Sequence, residues 1–176
     1  MIAYDYWQEQ PWDVKRDPSL AFNDDILKQA LGVWCAGACS GAIPPRSALT
    51  ARAMKPFLGN VVIVERQGDG HYRVRLMGTK ITQVIGEMQG MLLEEVLPPD
   101  AVARWRTAFD MVLAELRPMR FVSHVIVSDL SHLQAENLLA PLLDEAGRPA
   151  MVLCVTTFKS GAPAATLTHE TPGEGC

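Results

Sequence analysis

The feature that most constrains the fold is a pair of β-branched segments, residues 60–67 and 71–77, separated by Gly68-Asp69-Gly70. Asp and Gly tolerate the positive φ angles of a tight turn, so this pattern predicts a β-hairpin. Apolar and basic residues alternate along the second segment, which predicts one buried and one polar face. The apolar residues are Tyr72, Val74 and Leu76, and the basic residues are Arg73 and Arg75. Thr79 is expected to cap a short helix that follows. A hairpin that leads into a short helix places the following chain across one face of the sheet, where it can enclose a small cavity.

Length and composition limit the class of protein. The 176 residues suffice for one domain with a substantial core, and 48% hydrophobic with 20% charged residues is typical of globular chains. A net charge of −4 with scattered basic residues argues against a nucleic-acid partner. There is no apolar run of the roughly 18–20 residues that cross a bilayer, and the start lacks the plan of a secretory signal. Four irregularly spaced cysteines make no disulfide framework. A cytoplasmic protein without a membrane partner is predicted.

The chain before the hairpin divides into an arm and two helices. Residues 1–22 are predicted to form an N-terminal arm packed on the body of the protein. Asn23 is expected to cap the first helix, whose apolar stripe has helical spacing. The stripe includes Ile26, Leu27, Leu31 and Trp34. A second short helix is predicted over residues 47–57, so that residues 23–58 hold the leading helices.

The second half of the chain changes from a helical to a strand period. A long helix is predicted to open at Pro98-Pro99-Asp100 and to end at Arg117-Pro118. Strands are predicted over residues 120–128, 133–143 and 150–159, with a loop over residues 129–132. Pro141 implies a bulge or a local edge position. Residues 160–176 are predicted to be a disordered tail.

This order predicts an α+β fold with a five-stranded antiparallel sheet and short helices on one face. The strands at residues 61–64 and 151–155 are apolar on both faces, which is typical of central strands covered on both sides. Leaving the stripe of the first helix in water would cost about 1.5–3 kcal/mol for each large side chain. The N-terminal helix is therefore predicted to cover the other face, of its own sheet or of a neighbour's.

In this order of elements the chain resembles a PAS domain, and more closely the stand-alone PAS proteins of alphaproteobacteria. The resemblance covers residues 26–158 and lies in the spacing of several motifs together. The matching residues are Trp34, Pro44-Pro45-Arg46, Val61-Val62-Ile63-Val64, Arg73-Val74-Arg75-Leu76-Met77-Gly78-Thr79, Gly90 with Leu92-Leu93-Glu94-Glu95, and Leu139-Ala140-Pro141-Leu142. The resemblance implies a PAS core at residues 59–159 and a sensor or interaction module, often a homodimer through its leading helix.

Two interpretations of the interior stay open, a pocket for a small apolar ligand and a filled core. The predicted pocket residues are Tyr72, Val74, Leu76, Ile81, Ile85, Trp105, Phe109, Val125 and Leu153. The predicted dimer interface consists of Ile26, Leu27, Leu31 and Trp34. Arg73 and Arg75 are candidates for an anion contact, with pairing to Glu65 as the alternative.

No catalytic residues, metal or cofactor are predicted. Resemblance to haem-binding PAS domains would place a ligand on or just beyond the long helix, which has no histidine, so His124 is interpreted as structural. A flavin–cysteine photoreceptor would need an Asn-Cys-Arg motif, but residues 79–83 hold no cysteine. Cys35 and Cys39 would make only half of a zinc site. Haem and flavin are therefore disfavoured, and no catalytic motif is present.

The leading functional hypothesis is a sensory module of signal transduction that acts through contact with an unidentified signalling protein. The alternative is a dimeric interaction scaffold without a ligand. A haem or flavin sensor ranks below both, and an enzyme is the weakest alternative.

Overall fold

The computed structural model describes residues 17, 19–38, 41–127 and 131–160, with the side chains of residues 123–127, 131–134 and 160 left out of that description. The helices are α1 (Asp25–Gly37), α2 (Ala51–Met54), α3 (Thr79–Ile85), α4 (Leu93–Val96) and α5 (Pro99–Glu115). The strands are β1 (Val61–Arg66), β2 (Tyr72–Met77), β3 (Met119–Val127), β4 (Ser131–Leu143) and β5 (Pro149–Ser160). Most of the predicted arm and nearly all of the predicted tail lie outside the described residues.

The five strands form one antiparallel sheet in the order β2-β1-β5-β4-β3. The predicted α+β fold is therefore confirmed. β1 and β5 lie inside the sheet, as their apolar residues on both faces require, because a strand with two apolar faces must be covered twice. No helix in the described part of the chain is long and apolar enough to cross a membrane.

Helix α1 covers one face of its own sheet, as predicted for the N-terminal helix. Its buried residues Leu27, Ala30 and Trp34 pack with apolar residues of β1, β4 and β5. We call this the α1-side core. The N-cap is Asp24, whose side chain accepts a hydrogen bond from the backbone N–H of Ile26 at 2.9 Å. The prediction of Asn23 as the cap is wrong by one residue.

The opposite face of the sheet is covered by α3, α4 and α5. Helix α5 buries Ala101, Val102, Ala108, Phe109, Val112 and Leu113, which repeat at helical spacing. These helices pack on strand residues that include Tyr72, Val74, Met119, Phe121, Leu139 and Val152. We call this second cluster the helix-side core. The sheet thus separates two cores that are built from alternate residues of the same strands.

Two helix predictions differ from the structure. The helix predicted over residues 47–57 is instead the four-residue α2, which Thr50 caps, between 3-10 turns at Arg46–Ala48 and Leu58–Asn60. The cap of α3 is Gly78, and Thr79 is the first helical residue. A Cβ at position 78 would collide with the backbone of Leu58 and Gly59, so this close approach requires glycine.

Pro141 occupies the local edge that its sequence predicted. The pairing of β3 with β4 ends at Met119 and Leu139, whereas β4 continues alongside β5 to Leu143. Pro141 therefore has a strand neighbour on only one side, where a missing N–H is tolerated. The predicted loop over residues 129–132 is too long, because Ser131 and His132 already belong to β4.

Candidate ligand site in the helix-side core

The helix-side core brings together six of the nine predicted pocket residues. Tyr72, Val74, Ile81 and Phe109 are buried there, and Ile85 and Trp105 pack against them partly buried. Three of these residues form an aromatic row. The ring centroids of Trp105 and Phe109 are 5.4 Å apart in a stacked arrangement, and those of Phe109 and Tyr72 are 5.1 Å apart at an interplanar angle of 54°. Such contacts between rings add to the stabilisation from burial.

Leu76 and Leu153 were predicted to line the same pocket, and this is wrong. Ile63 pairs with Leu76 but Val64 pairs with Val74, so one extra residue in β2 breaks the alternation. Leu76 consequently packs against the α1-side core, and Leu153, which pairs with Ile63, is buried there. The backbone of Val125 pairs with Leu133 in the sheet, but its side chain lies outside the described residues.

The hydroxyl group of Tyr72 is the polar end of the aromatic row. It donates a hydrogen bond of 2.7 Å to Oδ1 of Asp110, which also lies 3.7 Å from Nε of Arg66. Burial, together with the hydrogen bond to Asp110, raises the pKa of Tyr72 well above its usual value. Tyr72 therefore stays a neutral donor at physiological pH.

A buried polar group on β4 and β5 was not found from the sequence. The Thr156 hydroxyl donates to Oδ1 of Asn137 at 2.6 Å, and the Cys154 thiol lies 3.6 Å from the same hydroxyl. Nδ2 of Asn137 donates a longer bond of 3.4 Å to the carbonyl oxygen of Phe121. Cys154 belongs to the helix-side core, and burial raises the pKa of its thiol to about 12. A buried hydrogen-bonding group in apolar surroundings can fix the orientation of a ligand.

The two arginines proposed for an anion contact have separate partners. Arg73 donates a hydrogen bond of 2.7 Å to the carbonyl oxygen of Gly90, which fixes the turn before α4. Arg75 lies 3.3 Å from the carboxylate of Glu65 on the neighbouring strand. The structure does not bring the two guanidinium groups together on one anion.

The residues predicted for the dimer interface divide into two pairs. Leu27 and Trp34 are buried in their own chain, and Nε1 of Trp34 donates a hydrogen bond of 2.8 Å to the carbonyl oxygen of Pro141. Ile26 and Leu31 are only partly buried. Leu27 and Trp34 therefore pack on the sheet of their own chain, which leaves Ile26 and Leu31 as the more accessible pair, and the dimer interface stays a prediction.

The described ranges hold few side chains suited to metal or cysteine chemistry. No group of three or more His, Cys, Asp or Glu side chains in these ranges could hold a metal ion. The free cysteines found there are the exposed Cys35 on α1 and the buried Cys154 on β5. Neither lies on α3, where a flavin-reactive thiol would be required. The side chains of His124 and His132 lie outside the description, and so do Cys39 and Cys176.

The chain belongs to the PAS domain family. The match to this family covers residues 24–157, more than half of the 176-residue chain. It starts at the cap of α1 and ends in β5, so that it includes both faces of the sheet. This membership places the chain among sensory signalling modules.

Several solved structures are similar to the chain. The light-state structure of the blue-light photoreceptor Aureochrome1 LOV is 16% identical with a TM-score of 0.38, and the match covers 58% of this chain and 82% of that one. A light-oxygen-voltage domain studied with a flavin analogue is 20% identical, with a TM-score of 0.41 and coverage of 62% and 83%. An RNA-binding light-oxygen-voltage receptor is 16% identical, with a TM-score of 0.39, and the match covers 66% of this chain but only 36% of the receptor. A search among curated proteins found no match.

Proposed function

We propose that this PAS module binds a small, mainly apolar molecule with one polar group in its helix-side core, and transmits that binding through contact with another protein. The observation that carries the proposal is the buried pair of Asn137 and Thr156, which lies on the same face of the sheet as the helix-side core. Asn137 is only 2% exposed and faces the same side of the sheet as Phe121 and Cys154.

The energetics of a buried amide support a ligand with a polar group. An Asn side chain can make up to four hydrogen bonds, two as donor and two as acceptor. Among the described residues Asn137 has two partners, and the bond to the Phe121 carbonyl is long at 3.4 Å. Burying an amide with unused capacity is unfavourable. A polar ligand atom that reached Asn137 would use this capacity, while apolar side chains of the helix-side core would bury the rest of the molecule.

The output of the module is proposed to run through α1. This helix lies on the face opposite the ligand site and touches β4 and β5, the strands that carry Asn137 and Thr156. With Leu27 and Trp34 buried, a homodimer or a partner contact would use the half-exposed Ile26 and Leu31. A cytoplasmic location, the signalling partner and the absence of catalysis stay predictions.

The binding proposal can be tested with the apolar fluorescent probe 1-anilinonaphthalene-8-sulfonate and a pair of matched variants. Ile85→Trp adds volume at the helix-side core, and Leu31→Trp adds the same ring to a half-exposed position on α1. We expect Ile85→Trp to weaken probe binding by roughly tenfold, about 1.4 kcal/mol, and Leu31→Trp to leave it within about twofold. Equal binding to both variants and to the wild type, or no binding at all, would contradict a ligand site in this core.

The alternative function is a ligand-free dimeric scaffold. The complete burial of Val74 and Val112 in the helix-side core favours the scaffold, because fully buried side chains are also what a filled interior would contain. Native mass spectrometry of the purified protein separates the two functions, since a stoichiometric bound molecule excludes the scaffold. An absorption band in the visible range would instead indicate haem or flavin, which remain disfavoured because α5 has no histidine and α3 no cysteine.

A further inference from the structure

A buried carboxylate joins the sheet to the start of α1. The side chain of Glu136 on β4 is only 8% exposed. Its Oε1 accepts a hydrogen bond of 3.0 Å from the backbone N–H of Asn23, and its Oε2 accepts one of 3.2 Å from that of Asp24. These N–H groups precede the first turn of α1 and have no carbonyl partner within the helix. The sheet therefore supplies an acceptor that α1 itself lacks.

The same carboxylate is held by an arginine on the edge strand. Nε of Arg120 donates to Oε1 of Glu136 at 2.7 Å, and Nη1 of Arg120 donates to Oδ2 of Asp17 at 3.0 Å. The side chain of Arg120 is 14% exposed, and its backbone forms an isolated bridge with Asp17. Asp17, Arg120 and Glu136, with the N–H groups of Asn23 and Asp24, form what we call the α1 clamp.

The position of Glu136 is unusual for a charged residue. Leu138, Ala140 and Leu142 follow it at alternate positions of β4, and all three are buried in the α1-side core. An apolar residue at position 136 would bury similar surface without the cost of removing a charge from water. That cost is offset here only while Arg120 and the two N–H groups are in place. When α1 leaves the sheet, water can solvate the carboxylate again. The charge therefore makes the free-energy difference between docked and undocked α1 smaller than it would be with an apolar residue at position 136.

We propose that Glu136 is a positioning residue that holds the first half of α1 on the sheet and makes this docking reversible independently of the rest of the fold. The clamp stands on its own geometry. Its regulatory meaning rests on the proposed function, in which α1 carries the contact with another protein. Trp34 secures the far end of α1 through Pro141, so release is expected to begin at the end held by Glu136.

The proposal is tested by hydrogen exchange of backbone amides in the full chain. Glu136→Gln keeps the size of the side chain but replaces one acceptor oxygen by a donor, which cannot serve both Arg120 and the N–H groups. We expect exchange of the peptide containing residues 23–30 to rise at least tenfold, with β1 and β5 unchanged. Glu65→Gln is the matched control, because Glu65 also pairs with an arginine, Arg75 on β2, but the carboxylate has no hydrogen bond or ion pair with the described residues of α1. The control is expected to leave α1 within twofold of the wild type.

A double variant, Glu136→Met with Arg120→Met, separates the role of charge from that of packing. It replaces the clamp by apolar side chains of similar size, and α1 is expected to exchange at the wild-type rate or more slowly. The proposal is overturned if Glu136→Gln leaves α1 within twofold of the wild type, if it raises exchange equally in β1 and β5, or if α1 in the double variant exchanges faster than in the wild type. If Glu136→Gln fails to fold, the double variant alone decides. A change in the mass of the assembly or in probe binding addresses the proposed function and leaves the clamp unaffected.

Discussion

The two faces of the sheet are covered in different ways. On the α1 side, the long helix α1 packs on the sheet. Two polar contacts hold it there: Glu136 accepts hydrogen bonds from the residues before α1, and Trp34 donates one to Pro141. On the helix side three helices cover the sheet, and the buried polar pair Asn137 and Thr156 belongs to the sheet itself. One face is thus covered by a helix that two separate polar contacts hold in place, and the other is an enclosed interior with its own hydrogen-bonding group.

Adjacent residues of one strand serve these two purposes. Glu136 faces α1, Asn137 faces the helix-side core, and Leu138 faces α1 again. Because side chains alternate along a strand, a change in the position of β4 affects both faces together. This gives a direct physical route by which ligand binding on one face can alter the docking of α1 on the other.

The largest effect is expected from core truncations that compare the faces. Phe109→Ala on the helix side and Leu27→Ala on the α1 side should lower the free energy of unfolding by about 3–5 and 2–5 kcal/mol, because each leaves a cavity. Only Phe109→Ala should also change the affinity for 1-anilinonaphthalene-8-sulfonate. Urea unfolding and a fluorescence titration measure the two properties. If Leu27→Ala changed probe affinity as strongly, the faces would not be distinct.

A smaller loss is expected when each aromatic side chain loses its polar atom. Trp34→Phe removes the donor to the buried Pro141 carbonyl, which should cost about 1–3 kcal/mol, and the smaller ring adds a further loss because Trp34 is buried. Tyr72→Phe also removes a hydrogen bond, but water can solvate Asp110, whose side chain is 46% exposed, so about 1 kcal/mol or less is expected. Denaturant unfolding of both variants compares the losses, and a larger loss for Tyr72→Phe would contradict this assignment.

The buried polar pair is tested by Thr156→Val, which keeps the shape of the side chain. It removes the donor to Oδ1 of Asn137 and should cost about 1–3 kcal/mol, because a buried acceptor loses its partner. Thr107→Val on the exposed surface of α5 is the control and should change stability by less than about 0.5 kcal/mol. Equal unfolding curves for the two variants would mean that the pair contributes nothing.

The smallest effect concerns pH. The hydrogen bond from His71 to Glu94, 2.7 Å long, and the charge of Glu94 raise the pKa of His71 above 6.5, against the opposing effects of desolvation and of Arg106. The protonated form is therefore the one that folding favours. Its stabilising contribution is fully present below pH 6.5 and is lost as the pH rises through the higher pKa of the folded state. His71→Gln should lower Tm relative to the wild type at pH 5.5 by more than at pH 8.5, and a difference that grew with pH would contradict the assignment.

The sequence predicted most of the architecture because its main signals are local. The alternating residues of β2, the apolar runs of β1 and β5 and the stripe of α1 determine which elements form and which surfaces must be covered. The extra residue in β2 was missed, since strict alternation of Tyr72, Val74 and Leu76 gives no sign of a bulge. The roles of Glu136 and Asn137 were also missed. Glu136 accepts a hydrogen bond from a backbone amide 112 positions away in the sequence. Such a contact depends on tertiary structure, which the periodicity of apolar residues does not encode.

The most direct test of a ligand site on the helix side is a titration of ¹⁵N-labelled protein with 1-anilinonaphthalene-8-sulfonate, followed by the indole N–H resonances of Trp105 and Trp34. These two side chains report on opposite faces of the sheet. We expect the Trp105 resonance to shift in proportion to bound probe while the Trp34 resonance stays in place at low occupancy. A shift at Trp34 without one at Trp105 would contradict this expectation.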